Sequence, residues 1–172
     1  MTDSAPDLIQ PGEKRVYLSA PVVRMASILS FSLVLCFFGL WFLLDREIRA
    51  MFTWIQIGTL LFFMVFMLVF MLGVASSTMT LTAAGIKVRN ALWTKRFHWH
   101  EVADLTYAAG DSWPYLQTVP TEDHPEGRST MVLGIQRVEG ELARERVDEV
   151  RGLIRAHRVA NGLPATVELP LD

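Results

Sequence analysis

The sequence predicts a membrane α-helical hairpin followed by an α+β domain, an antiparallel sheet closed by a C-terminal amphipathic helix. Three observations predict it. Two long apolar runs, 22–44 and 53–75, avoid charge almost completely. The stretch after them alternates apolar and polar residues with the period of two that a half-buried strand requires. Residues 141–159 then carry Leu142, Val147, Val150 and Ile154 at helical spacing among alternating acids and arginines.

The chain has 172 residues, of which 51% are hydrophobic and 20% charged, and its mean hydropathy is +0.30. Length allows about one domain at ~100–200 residues each. The mixture suggests a chain divided between lipid and water. VVRMASILSFSLVLCFFGLWFLL holds one charge, Arg24, near its start, and TWIQIGTLLFFMVFMLVFMLGVA holds none. At ~1.5 Å per residue each makes a helix about 35 Å long, enough for a hydrocarbon core of ~30 Å. An ionised side chain at mid-membrane costs roughly 2.5–3.5 kcal/mol. The empty centres therefore favour spanning helices over two buried helices of a soluble core.

The first run is no cleavable signal, because it exceeds an h-region of ~7–15 residues and DREIRA after it lacks a small-residue cleavage site. The connector 45–52 allows only a tight turn, so the two helices form an antiparallel hairpin. Trp41 and Trp54 suit the interface at its outer end. Ala26 and Ser30, with Gly39 and Gly58, admit close helix approach. Lys14, Arg15 and Arg24 precede the hairpin and Lys87, Arg89, Lys95 and Arg96 follow it, against Arg46 and Arg49 in the connector. Both termini are thus expected in the cytoplasm, with the protein multi-pass in the cell membrane. The single cysteine, Cys36, lies within the first run and reads as a packing residue. No intramolecular disulfide can form, which fits a cytoplasmic domain.

Four segments follow: a cytoplasmic tail at 1–20, broken by Pro6, Pro11 and Gly12, the hairpin at 21–75, a domain at 76–160, and a tail at 161–172. Val16, Tyr17 and Leu18 are expected to pin the first tail near the membrane. Within the domain Met79 to Thr82 alternate as a strand, with a turn at Ala84-Gly85. Ile86 and Val88 then oppose Lys87 and Arg89, and Asn90-Ala91 turns the chain again. From Leu92 onward Trp93, Phe97 and Trp99 share one face, with Thr94, Arg96, His98 and His100 on the other. Residues 101–107 continue as a fourth strand after a bend, 110–128 form a long loop, and 129–137 resume as a strand. The helix at 141–159 caps the sheet and stops at Asn161-Gly162.

This order is the pleckstrin-homology (PH) architecture, and LTAAGIKVRNALWTKRFHWHEVADL resembles the signature of small bacterial membrane proteins with a PH domain. The resembling elements are the strand and glycine turn, Val88-Arg89-Asn90, the basic residues, and Trp99 followed by Glu101-Val102. The resemblance implies a PH-like sheet or barrel closed by the helix, a binding or scaffolding module, and no catalytic residues. The loop at 110–128 is longer than that family's.

From residue 76 on, 11 basic and 13 acidic residues balance, which argues against nucleic acid as a partner. No phosphate loop, GxSxG elbow or CxxC pair is present, and no small-molecule substrate or cofactor is evident. His98 and His100, two apart, could share a metal on a strand. Glu101 faces away from them, however, and HWHE lacks the HExxH spacing. The strand reading prevails: His98 and His100 lie on a polar face and Trp99 in the core. Lys87, Arg89, Lys95 and Arg96 form a basic cluster near the membrane, suited to anionic headgroups or a partner. Trp113 and Tyr115 in the long loop are either docking or tucked aromatics. The expected function is a non-enzymatic membrane-anchored binding protein, an accessory or assembly subunit with an integral membrane partner and lipid contacts. Two other readings stay open: a homo-oligomeric channel or transporter element using Gln56, Ser27, Ser30 or Ser32, and a metal-dependent membrane enzyme using His98 and His100.

Overall fold

The computed structural model describes residues 8–167; of the tails expected at 1–20 and 161–172, residues 1–7 and 168–172 lie outside the described residues. Helix α1 (Ala20–Leu43) has proline in its first turn, where a missing N–H costs nothing. After the short α2 (Arg46–Ala50), α3 (Trp54–Ala75) starts at a capping box. The Gln56 N–H donates to Thr53 Oγ1 at 3.3 Å and the Thr53 N–H donates to Gln56 Oε1 at 2.9 Å. The two long helices pack together, and Ala26 and Ser30 are the buried residues of α1. Both are long and apolar enough to cross a membrane, and only 6% and 0% of their apolar windows are buried. The core helices of a water-soluble domain would be covered instead.

The segment expected as a tail contributes a strand. β1 (Lys14–Tyr17) pairs antiparallel with β2 (Thr78–Thr82), which continues through β3 (Gly85–Asn90) to β4 (Trp93–Phe97) in the order β1-β2-β3-β4. Tyr17 faces Met79 across the first ladder, so the helical hairpin is an insertion between two neighbouring strands of one sheet. The chain between β3 and β4 turns over two residues, with Ala91 at φ +50, a left-handed position uncommon for a residue with a Cβ.

A second sheet has the order β5-β6-β7, from β5 (Val102–Thr106), β6 (Tyr115–Thr118) and β7 (Ser129–Met131). β6 falls within the expected long loop, and the strand expected at 129–137 ends at Met131, with a 3-10 turn at Arg137–Glu139 further on. No strand ladder joins the two sheets among the described residues. Side chains bridge them instead: Asn90 Nδ2 donates to the Met131 carbonyl at 2.6 Å, and Lys95 Nζ donates to Thr130 Oγ1 at 3.3 Å. After β7 the chain lies against the first ladder. A Cβ at Gly134 would sit 2.7 Å from the Met79 nitrogen and 2.8 Å from the Tyr17 oxygen, so only glycine permits this approach.

Helix α4 (Glu141–Ala160) buries Ala143, Val147, Val150, Leu153 and Ile154 against inner-face residues of both sheets, including Met79, Leu81, Ile86, Leu105 and Leu116. Leu142, expected on that stripe, is 46% exposed because Ala143 takes the inward position. Two α4 arginines occupy the free edge of β5. Arg151 Nε donates to the Leu105 carbonyl at 2.7 Å and Arg158 Nη1 to the Val102 carbonyl at 2.8 Å. They satisfy backbone oxygens that a neighbouring strand would otherwise have bonded.

The HWH stretch is no strand. β4 ends at Phe97, and Trp99–Glu101 form a 3-10 turn, closed by Glu101 Oε2 accepting the His98 N–H at 2.7 Å. Trp99 is in the core as expected, stacked on His157 with ring centroids 4.0 Å apart. Trp93 is not: at the end of the sheet, with no element above it, it is 79% exposed.

His157 Nε2 accepts the Ile9 N–H at 3.2 Å, which requires a neutral ring, and burial lowers its pKa below the ordinary 6.5. A base depressed in the folded state stabilises fully above its unfolded pKa and loses that stability as pH falls from there through the folded value. Thermal unfolding in detergent from neutral pH to about pH 5 should show declining stability. His157→Gln should start less stable, with a flatter slope; an equally steep slope in that variant would assign the pH dependence elsewhere.

Candidate functional site

Strand register sorts the basic residues of the first sheet into two faces. Lys87 and Arg96 face one another directly, and Arg89 faces Thr94. On β2 their neighbours are Thr80 and Thr78, and on β1 Val16 and Lys14 face Thr80 and Thr82. Since alternate residues share a face, Lys14, Lys87, Arg89 and Arg96 lie together with Thr78, Thr80, Thr82 and Thr94. The opposite face carries Met79, Leu81, Ile86 and Val88, all buried.

The outer face thus holds four cations, several hydroxyls and no acid. All four cations are exposed or nearly so, and among the described residues none of them forms a salt bridge. Like charges directly opposite in a ladder destabilise a sheet. Holding Lys87 against Arg96 concentrates positive potential on this face. Arg89 lies closest to the hairpin, its Nη2 donating to Ser76 Oγ at 3.4 Å, one residue beyond α3.

The other expected site residues are dispersed. Lys95 pairs with Val88 and turns to the opposite side, bonded to Thr130. His98 and His100 stack on each other at 5.6 Å at the far end of β4. Trp113 and Tyr115 are half-buried in and beside β6. Lys14 was missed in the sequence because its strand was read as tail.

His100 and His124 line one cleft of about 620 Å³ together with Arg96, Arg128, Glu101 and Asp123, and the Arg128 guanidinium contacts the His124 ring. His157 lies apart, under Trp99. Among the described residues no three His, Cys, Asp or Glu side chains converge as metal ligands. Gln56 closes the α3 cap and Ser27 Oγ donates to the Val23 carbonyl at 2.8 Å, whereas the Ser30 hydroxyl is buried without a hydrogen-bond partner among the described residues.

Lys87→Glu places opposite charges at facing positions. Its expected outcome is a gain of about 0.2–1 kcal/mol in stability together with weaker binding to acidic surfaces. A lower unfolding temperature for this variant would contradict the register.

Residues 76–153 match the family model of the bacterial PH domain. The match begins directly after α3 and runs into α4, leaving β1 outside it. No curated protein and no solved structure matches the chain.

Proposed function

We propose that this bacterial PH domain is a non-catalytic binding module carried on a two-helix transmembrane hairpin, with both termini in the cytoplasm. In this reading the protein is an accessory or assembly subunit of a larger membrane complex, and it docks on an acidic surface of an integral membrane partner. The observation that carries the proposal is the outer face of the first sheet, where Lys87 and Arg96 are held directly opposite with no carboxylate among them.

Two physical arguments support it. Confinement to the bilayer plane raises the domain's effective concentration beside other membrane proteins, so a modest contact suffices. Pairing of β1 with β2 fixes the domain to both ends of the hairpin, so the basic face has a set orientation toward whatever lies beside it. Arg89, beside the end of α3, adds contact with anionic headgroups, at roughly 1 kcal/mol per basic residue near such a leaflet.

The test is purification of a C-terminally tagged protein from native membranes in mild detergent, read by mass spectrometry. Stoichiometric co-purification of a defined membrane complex is expected, and it should be lost on joint reversal of Lys87→Glu and Arg96→Glu. A wild-type protein that always emerges alone, as monomer or homo-oligomer, contradicts the subunit reading.

A further inference from the structure

The turn between β3 and β4 carries Leu92, and Trp93 opens β4 directly after it; each is 79% exposed. Large apolar side chains at the tip of a two-residue hairpin gain nothing from water. Their position relative to the long helices is fixed by two contacts. The Ala91 N–H donates to Ser77 Oγ at 2.9 Å, and the Ala91 methyl lies 3.8 Å from where a Cβ on Gly73 would be. Gly73 is inside α3, two residues before its last, which is ~3 Å deeper along the helix axis than its end. The turn therefore sits beside the last turn of the apolar helix rather than beyond it.

Neighbouring groups extend the same surface. Met131, whose carbonyl accepts from Asn90, is 45% exposed. On the other helix, the turn Arg137–Glu139 touches α1 and exposes Val138 at 55%. Arg89 sits two residues before the turn's first residue, Ala91, as a cation beside the headgroup layer would.

We infer that the Leu92-Trp93 turn is an interfacial anchor, inserted at the headgroup–acyl boundary of the bilayer beside α3. The inference rests on the reading that α1 and α3 span that bilayer. Its occupant is lipid because the turn is continuous with the exposed apolar surface of α3, where Phe66, Val69, Phe70 and Leu72 are uncovered. Tryptophan at the water boundary and leucine at the tip match the depth order of the interface. The turn then acts as a third attachment point, setting the tilt of the domain and holding Arg89 at the surface.

The test places one label at a time in a Cys36→Ala background, in the full chain reconstituted into vesicles of zwitterionic and anionic phospholipid. Sites are Leu92→Cys, Val69→Cys in α3, and Ala84→Cys at the opposite end of the sheet. An environment-sensitive fluorophore at Leu92→Cys should be blue-shifted, quenched by spin-labelled lipids and shielded from aqueous iodide, as at Val69→Cys, with Ala84→Cys water-exposed. If Leu92→Cys behaves like Ala84→Cys while Val69→Cys remains in lipid, the anchor is overturned and the spanning hairpin stands. If Val69→Cys is water-exposed as well, the spanning reading falls and the anchor falls with it.

Discussion

Tyr17 and Met79 face each other across β1 and β2, yet the whole helical hairpin lies between them in the chain. For a flexible loop of ~60 residues, closing such a contact costs about 3–4 kcal/mol in chain entropy. Here the loop is two stiff helices packed side by side, so its ends are already neighbours when the strands meet. Everything in the domain leans on that ladder. Gly134 packs on it at a distance no side chain allows, and Arg15 reaches from β1 to Glu149 of α4 at 2.8 Å. Further up the chain Ile9 bonds His157. The anchor and the domain are one interlocked unit, not beads on a linker.

The same economy appears at the unpaired edges. β1 is a short edge strand bearing Lys14 and Arg15, the kind of charged edge that resists pairing with other chains. β5 is covered by Arg151 and Arg158. With Arg158 3% exposed, its hydrogen bonds are charge-assisted and shielded from water, which is where such bonds are strongest. Arg146, bonded at once to the Glu139 carboxylate at 2.5 Å and the Leu18 carbonyl at 3.3 Å, ties α4 to the chain entering α1. Arg146, Arg151 and Arg158 of α4 are used structurally, whereas Lys87, Arg89 and Arg96 on the outer sheet face have no acidic partner among the described residues.

Much of this was legible in the sequence. The helices announced themselves by length and missing charge, β2 to β4 by period-two alternation, and α4 by its stripe. What stayed hidden has physical causes. Lys14–Tyr17 is too short to show a period, and its partner lies beyond the hairpin. β6 is bounded by Pro114 and Pro120 and buries only Leu116 completely, so its alternation has nothing to repeat. His98-Trp99-His100 continued the alternation of β4 on paper, but Glu101 three residues after His98 is a helix-start signal, and the chain obeyed it. The basic cluster was visible as composition, whereas its division into Lys87, Arg89 and Arg96 on one face and Lys95 on the other needed the register.

The interlocking of hairpin and domain is most directly tested by a disulfide between Val16→Cys and Thr80→Cys in a Cys36→Ala chain bearing a protease site in the 45–52 connector. These residues face one another on the outer side of the ladder, where Cβ atoms lie ~4.5–5.5 Å apart, close to the ~3.5–4.5 Å a disulfide requires. After oxidation in native membranes and cleavage of the connector, the two halves should remain one band on a denaturing gel until reductant is added. Halves that separate without reductant would show that β1 does not pair with β2, and the domain would then be tethered through α3 alone.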